Sequence, residues 1–305
     1  MKPNILILIA AMCFKAVTPN GAIANDSTAE IIAKAEQGDI PAQSELATRY
    51  ANGDGAEQNY RKAVFWAKKA ADKGNLSAQY NLGLAHLYGQ GTPQDFLEAT
   101  IWFRRAADQG HAGAQRKLGD LYSAGLGVEL DLSKATVWYR KAAEQGNPDA
   151  QYRLGLAYFD GSGADLDWNK AFEWFMKAAK QGLPMPQIYL GGMYESGWGV
   201  PQNSEEAFKW FLKAAEQGNA TGQLNIGRIY TEGAIVKQNY FEAAEWFLKA
   251  AEQGDAASQN ALGKMYEDGL GVRQDSAKAK ELYGDACDGQ WQEGCENFAR
   301  LNRAK

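Results

Sequence analysis

Two histidines, His86 and His111, are the residues of this 305-residue chain best suited to proton transfer near neutral pH. His86 stands where equivalent segments carry tyrosine, which reads as a packed ring with one hydrogen bond. His111 stands where others carry Asn147 or Asn219, which reads as a turn residue. Carboxylates are plentiful, but Glu144, Glu216 and Glu252 recur at one slot near a helix end, the pattern of a solvated face. A general acid or base is expected instead to be a singular residue in a cleft with a shifted pKa. The Gly-x-Gly pairs follow helical rather than strand patterns and so do not make a phosphate-cradling loop. No serine stands with a lysine or histidine partner in a nucleophilic arrangement. The sequence therefore predicts no catalytic residue, no metal site and no cofactor. Net charge is −5 for the whole chain and no basic patch stands out along it, which argues against a nucleic-acid partner.

What the sequence does repeat is architecture. "WFLKAAEQG" occurs from Trp210 and again from Trp246, and stepping back by the same 36 residues lands on Trp174, Trp138, Trp102 and Trp66. Gln43, Gln79, Gln115, Gln151, Gln187, Gln223 and Gln259 open successive units, and Cys295 stands where an eighth would begin. A fixed period of this size is the mark of a solenoid. The shared pattern is Q-x-x-L-G-x-x-Y-x-x-G-x-G, a polar link, then a K/E-A-x-x-W-F/Y-x-K-A-A-E-Q-G ending. In the first half, Leu154, Gly155 and Tyr158 fall on one helical face. In the second, Trp174 and Phe175 followed by Ala178 and Ala179 make a stripe that is bulky at one end and small at the other. Gly155 lets helices approach closely, Gly161 and Gly163 supply loop conformations, and Gly182 ends the second helix. Each unit is thus a helical hairpin, and the fold class is all-α.

These residues resemble the Sel1-like repeat family, relatives of the tetratricopeptide repeat with a longer unit and the Gly-x-Gly loop seen at Gly125 to Val128. The resemblance covers about 250 residues in seven units and implies a right-handed α/α superhelix with capping helices. Departures are local: Ala47 replaces the position-5 glycine of the first unit, His86 the tyrosine of the second, Ile235 a loop glycine of the sixth and Leu282 the last tryptophan.

The N-terminus reads as a secretory signal peptide over residues 1–24: one lysine, an apolar run too short to span a bilayer as a mature helix, and a cleavage site at Ala22-Ile23-Ala24. A lipoprotein signal through Cys13 would want a small residue where Met12 stands. Loss of Lys2 and Lys15 takes the net charge to −7. The expected products are a periplasmic or secreted chain without membrane insertion, an N-terminal capping helix within residues 25–42, repeats over 43–294 and a C-terminal capping helix over 295–305. Ser27-x-x-Glu30 reads as a capping box. Cleavage leaves Cys287 and Cys295 across one turn, either as a disulfide in an oxidising compartment or as two reduced thiols. Their spacing resembles the cysteine-rich branch of the family, which implies the disulfide.

Positions 2, 6 and 9 of each unit lie opposite the interlocking stripe, on the face that lines the concave groove in tetratricopeptide proteins. They include Tyr80, Leu84 and Leu87; Arg116 and Asp120; Tyr152, Leu156 and Phe159; Ile188 and Glu195; Leu224 and Arg228. Trp198, between two loop glycines, joins them as an exposed contact candidate. Either the apolar members bury one another, or they form a strip flanked by charge, the usual look of a protein-binding site. The resemblance implies a non-enzymatic scaffold holding a peptide or folded protein, as an envelope regulator, an adaptor or a toxin-neutralising partner. The competing readings are an enzyme acting on cell-wall or β-lactam-type substrates and a secreted host-interaction factor.

Overall fold

A computed structural model describes residues 27–303; the signal peptide, its cleavage site and Cys13 lie outside the described residues. Among these residues every regular element is a helix, sixteen in all. The chain divides into two compact units meeting between Ala150 and Gln151. The first holds α1 (Thr28–Glu36), α2 (Ile40–Asn52), α3 (Tyr60–Ala71), α4 (Leu76–Tyr88), α5 (Phe96–Asp108), α6 (Ala112–Ala124) and α7 (Leu132–Glu144). The division falls within α8 (Pro148–Asp160). The second unit continues with α9 (Trp168–Lys180), α10 (Pro184–Ser196), α11 (Ser204–Glu216), α12 (Ala220–Glu232), α13 (Tyr240–Ala251), α14 (Ala256–Asp268), α15 (Ser276–Asp288) and α16 (Gln292–Arg303).

The expected boundaries shift by three residues. The stretch 25–42 contains α1 and also the start of α2, and the last helix begins at Gln292 rather than at 295. The reason is that each opening glutamine sits on the fourth residue of its helix. From there its amide donates back to a carbonyl eight residues earlier: Gln43 to Ala35, Gln79 to Ala71, Gln115 to Ala107, Gln223 to Ala215. The glutamine that closes the same unit then donates to its side-chain oxygen, as Gln109 does to Gln79 at 3.0 Å and Gln217 to Gln187 at 2.8 Å. Both glutamines of the repeat are therefore spent on orphan carbonyls and on each other.

Helix starts are fixed by side-chain caps. Asn59, Asp95, Asp131, Asp167, Asn203, Asn239 and Asp275 each accept from the backbone at the head of a second helix. The backbone N–H of each cap also donates to the carbonyl of the tyrosine-slot residue in the first helix, for example Asp95 to His86 at 2.9 Å and Asp167 to Tyr158 at 2.8 Å. Because that clamp is backbone to backbone, histidine in the tyrosine slot leaves the turn intact. His86 itself is half-buried, and its Nδ1 finds no protein partner, unlike the hydrogen-bonded ring expected. At the head of α1 Ser27 and Glu30 form a reciprocal capping box.

The core is a ring packed on a glycine. A Cβ on Gly83, Gly119, Gly155, Gly191, Gly227 or Gly263 would lie 2.5–2.8 Å from ring carbons of Phe103, Tyr139, Phe175, Phe211, Phe247 and Tyr283 respectively. Each ring is the residue after the register tryptophan or its Leu282 equivalent, twenty positions beyond its glycine. Burying one such ring stabilises a unit by roughly 2–3 kcal/mol. In the first repeat both partners change: Ala47 replaces the glycine and Ala67 the ring, both are buried, and a cavity of about 10 Å³ lies beside them. The two departures compensate each other. Each register tryptophan in turn carries a cation three residues on, over its face at 3.7–4.6 Å, as with Lys141 on Trp138 and Lys177 on Trp174. Ile235, lacking the glycine's freedom, packs on the cluster of Phe211 and Ile226.

At the C-terminal end Cys287 and Cys295 form a disulfide, with a Cα–Cα distance of 4.4 Å, tying α15 to α16. Their separation of eight residues equals that of the glutamine-to-carbonyl bonds. A covalent link thus stands where Gln43, Gln79, Gln115, Gln187, Gln223 and Gln259 use a hydrogen bond.

Candidate functional site

The position-2 residues do more packing than the sequence suggests. In the first unit Tyr80 is half-buried, tilted against Phe103 at 5.7 Å between centroids and stacked on His111 at 4.7 Å. Burial raises its hydroxyl pKa. In the second unit Tyr152 lies 6.1 Å from Phe175, and Ile188 and Leu224 pack against the clusters of Phe211 and Phe247. These four position-2 side chains therefore pack on the rings and core clusters of their hairpins, because the helix leans that position towards the neighbouring helix. Tyr80, Tyr152, Ile188 and Leu224 are not a strip free of packing duties.

The polar members are likewise engaged. Arg116 pairs with Asp120 at 2.7 Å and reaches Asp149 at 3.8 Å, while the Tyr139 hydroxyl donates to Asp120 at 3.0 Å. Burial alone would lower the Arg116 pKa; the two aspartates overcome it and raise it. In the second unit Arg228 pairs with Glu195 and, at 2.9 Å, with Glu232. The rings explain a further regularity. Where the packed ring is tyrosine rather than phenylalanine, its hydroxyl meets a groove acid: Tyr139 with Asp120, and Tyr283 with Glu267 at 2.7 Å. Leu84 and Leu87 of the first unit and Leu156 of the second are half-buried.

One region departs from this self-satisfied pattern. Around α8, α9 and α10 of the second unit, Phe159 contacts Phe175 (6.0 Å), Tyr189 (5.3 Å) and Trp198 (5.8 Å). Tyr189 stacks on Phe175 at 4.8 Å, and Trp198 stacks on Trp168 at 5.5 Å. Trp168 is held in turn by its indole N–H, which donates to the Phe159 carbonyl at 3.2 Å. The Tyr152 hydroxyl, desolvated beside Tyr189, has its pKa pushed up to about 12. These rings frame an open, apolar pocket of about 270 Å³ lined by Phe159, Met185, Ile188, Tyr189, Gly192, Met193 and Trp198. Trp198 is 41% exposed, and a Cβ on Gly192 would meet nothing within 4 Å. Aromatic walls, two polarisable methionines and a floor without a side chain suit an apolar group inserted from outside.

Of the residues expected from sequence, the structure thus brings Tyr152, Phe159, Ile188 and Trp198 to one place. Leu224 sits in the next hairpin, and the Glu195–Arg228 pair links α10 to α12. Sequence reasoning missed Trp168, Tyr189 and Met185. A signal was there: of nine tryptophans, six keep the 36-residue register, leaving Trp168, Trp198 and Trp291, of which the first two stack.

Against this geometry the comparisons are decisive for the family. The Sel1 repeat model matches seven successive segments, 40–75, 76–111, 112–147, 148–183, 187–219, 220–255 and 256–290. This chain belongs to the Sel1-repeat family. The fold is similar to that of a protective antigen present in uropathogenic Escherichia coli strains, described as displaying an SLR fold: 37% identity, TM-score 0.86, over 91% of this chain and 59% of that one. This chain therefore spans about three-fifths of that relative's length. A Sel1 repeat protein from Oxalobacter formigenes is similar at 36% identity and a TM-score of 0.71, over 87% of this chain and 79% of that one. No curated protein matches the chain. Sel1-repeat proteins are generally non-catalytic scaffolds for protein–protein interaction, and no helix among the described residues is long and apolar enough to cross a membrane.

Proposed function

We propose that this Sel1-repeat protein is an exported, non-enzymatic scaffold that grips a polypeptide partner on the first-helix face of its second unit. An apolar side chain of the partner would enter the pocket of α10, and the Glu195–Arg228 pair would form part of a polar rim. The observation that carries this reading is the open aromatic pocket itself. Its rings are immobilised by one another, so binding there orders little that is not already ordered. Aromatic, well-packed pockets with polar surroundings are where interface energy concentrates.

Export rests on the reading of residues 1–24 and is supported by the Cys287–Cys295 disulfide, a bond that persists in oxidising compartments. Protein recovered from the producing cell should begin at Asn25 and fractionate with the periplasm or medium; a chain retaining Met1 in the cytoplasm overturns this part. For the pocket, a photoreactive residue installed at Met185, 41% exposed at its edge, should crosslink a polypeptide in producing cells. The same group at exposed Glu216 should not. Equal labelling from both positions, or none from Met185, refutes the site.

A further inference from the structure

The 36-residue register stacks features that look scattered along the chain, and on the outer side of the first unit it stacks cations. In α3, α5 and α7 the residue before the register tryptophan is Phe65, Ile101 and Val137, exposed by 53%, 37% and 49%. One helical turn further on, the same three helices carry the exposed pairs Lys68/Lys69, Arg104/Arg105 and Arg140/Lys141. The inner member of each pair is held over its tryptophan, at 4.6, 4.3 and 4.0 Å, and Arg104 donates to the Tyr122 hydroxyl at 2.5 Å. One cation of each pair, and Arg104 besides, is therefore positioned rather than trailing. Asp72, Asp108 and Glu144 close these helices a turn beyond, leaving two cations for each acid.

The second unit does not repeat this. Before its tryptophans stand Glu173, Lys209 and Glu245, and the first basic position holds Met176, Leu212 and Leu248. The sequence shows no basic run because each pair is separated from the next by a whole repeat; only the fold makes rows of them. A row of exposed apolar side chains beside two rows of cations, the inner row held over tryptophan faces, on a chain that is acidic as a whole, is the composition of a surface that meets a layer of anions over an apolar interior.

We propose that this outer face of α3, α5 and α7 docks onto an anionic phospholipid bilayer surface, with Phe65, Ile101 and Val137 entering the headgroup layer and the neighbouring cation pairs meeting lipid phosphates. The contact is peripheral and independent of the pocket on α10, so the scaffold would present its partner at a membrane.

The test is flotation of the purified chain with vesicles of phosphatidylcholine alone and with increasing phosphatidylglycerol, at low and high salt. Binding should appear with the anionic lipid and fall as salt rises. Lys68→Gln with Arg140→Gln should weaken it about fivefold for each cation removed, and Phe65→Ser with Ile101→Ser should weaken it at every salt concentration. Trp198→Ala should bind vesicles as the parent does. Melting temperatures are followed throughout. Failure of the unmodified chain to bind phosphatidylglycerol vesicles, or equal binding by the variants at unchanged melting temperature, overturns the proposal, and an acidic protein would then be the partner to seek.

Discussion

Gly191 and Gly192 are adjacent residues of α10 whose replacement by alanine should have opposite consequences. Both lie inside a helix, where alanine is favoured over glycine by about 1 kcal/mol. At Gly192 nothing lies within 4 Å of the added Cβ, so the gain should be realised in full. At Gly191 the Cβ would fall 2.5 Å from the Phe211 ring, which is 2% exposed and has nowhere to go. Overpacking of this kind costs roughly 1–3 kcal/mol, so the net effect should run from near zero to about 2 kcal/mol destabilising. With ~2–4 °C per kcal/mol for a chain of this size, Gly192→Ala should raise the melting temperature by about 2–4 °C. Gly191→Ala should lie below it by roughly the same amount or more. Thermal unfolding by circular dichroism reads both, and Gly191→Ala combined with Phe211→Ala should cost less than the sum of the two single changes, because without the ring the added methyl meets no clash, as in the Ala47–Ala67 arrangement. If the two glycines tolerate alanine equally, the ring-on-glycine account of the core is wrong.

The disulfide closes a loop so short that its entropic contribution is about 2–3 kcal/mol, and it joins only the last helix. Cys287→Ser with Cys295→Ser should accordingly raise hydrogen exchange in α16 while leaving α12 and earlier helices unchanged; uniform loosening would refute a local role. His111 accepts the Ala114 N–H at 3.1 Å through Nδ1, so it caps α6 only while that nitrogen is unprotonated. Burial lowers its pKa from 6.5, so the folded chain binds fewer protons than the unfolded one. Its contribution is present above about pH 6.5 and is lost as pH falls from there through the lowered folded value. His111→Asn, the cap used at Asn219, should flatten that pH dependence in thermal unfolding; an unchanged profile refutes the cap argument.

The repeat was legible because its glycines, rings and glutamines each serve one hairpin, and the chain writes that hairpin seven times. Gln43 to Gln259 announced the units, and the twenty-residue offset between Gly155 and Phe175 is visible in retrospect even in the departures at Ala47 and Ala67. The candidate site was legible only in part. Phe159 and Trp198 could be named from their slots, but the lean that turns Tyr80, Ile188 and Leu224 onto the packed rings is a matter of helix rotation, which a residue pattern leaves open. Trp168 escaped notice because it opens α9, while its partner Trp198 lies thirty residues away in the loop after α10. The pairing of Arg228 with Glu195 joins two repeats, and no feature of either repeat alone points to it.

The central claim is that the pocket on α10 holds the partner. It is tested most directly by measuring the affinity of the partner trapped at Met185 for the unmodified chain, for Gly192→Leu and for Trp198→Ala, with melting temperatures alongside. Gly192→Leu fills the pocket from its floor without touching the core, and Trp198→Ala removes a wall. Each should weaken binding by about 2 kcal/mol, roughly thirtyfold, with the fold intact. Unchanged affinity in both variants at unchanged melting temperature would contradict the account.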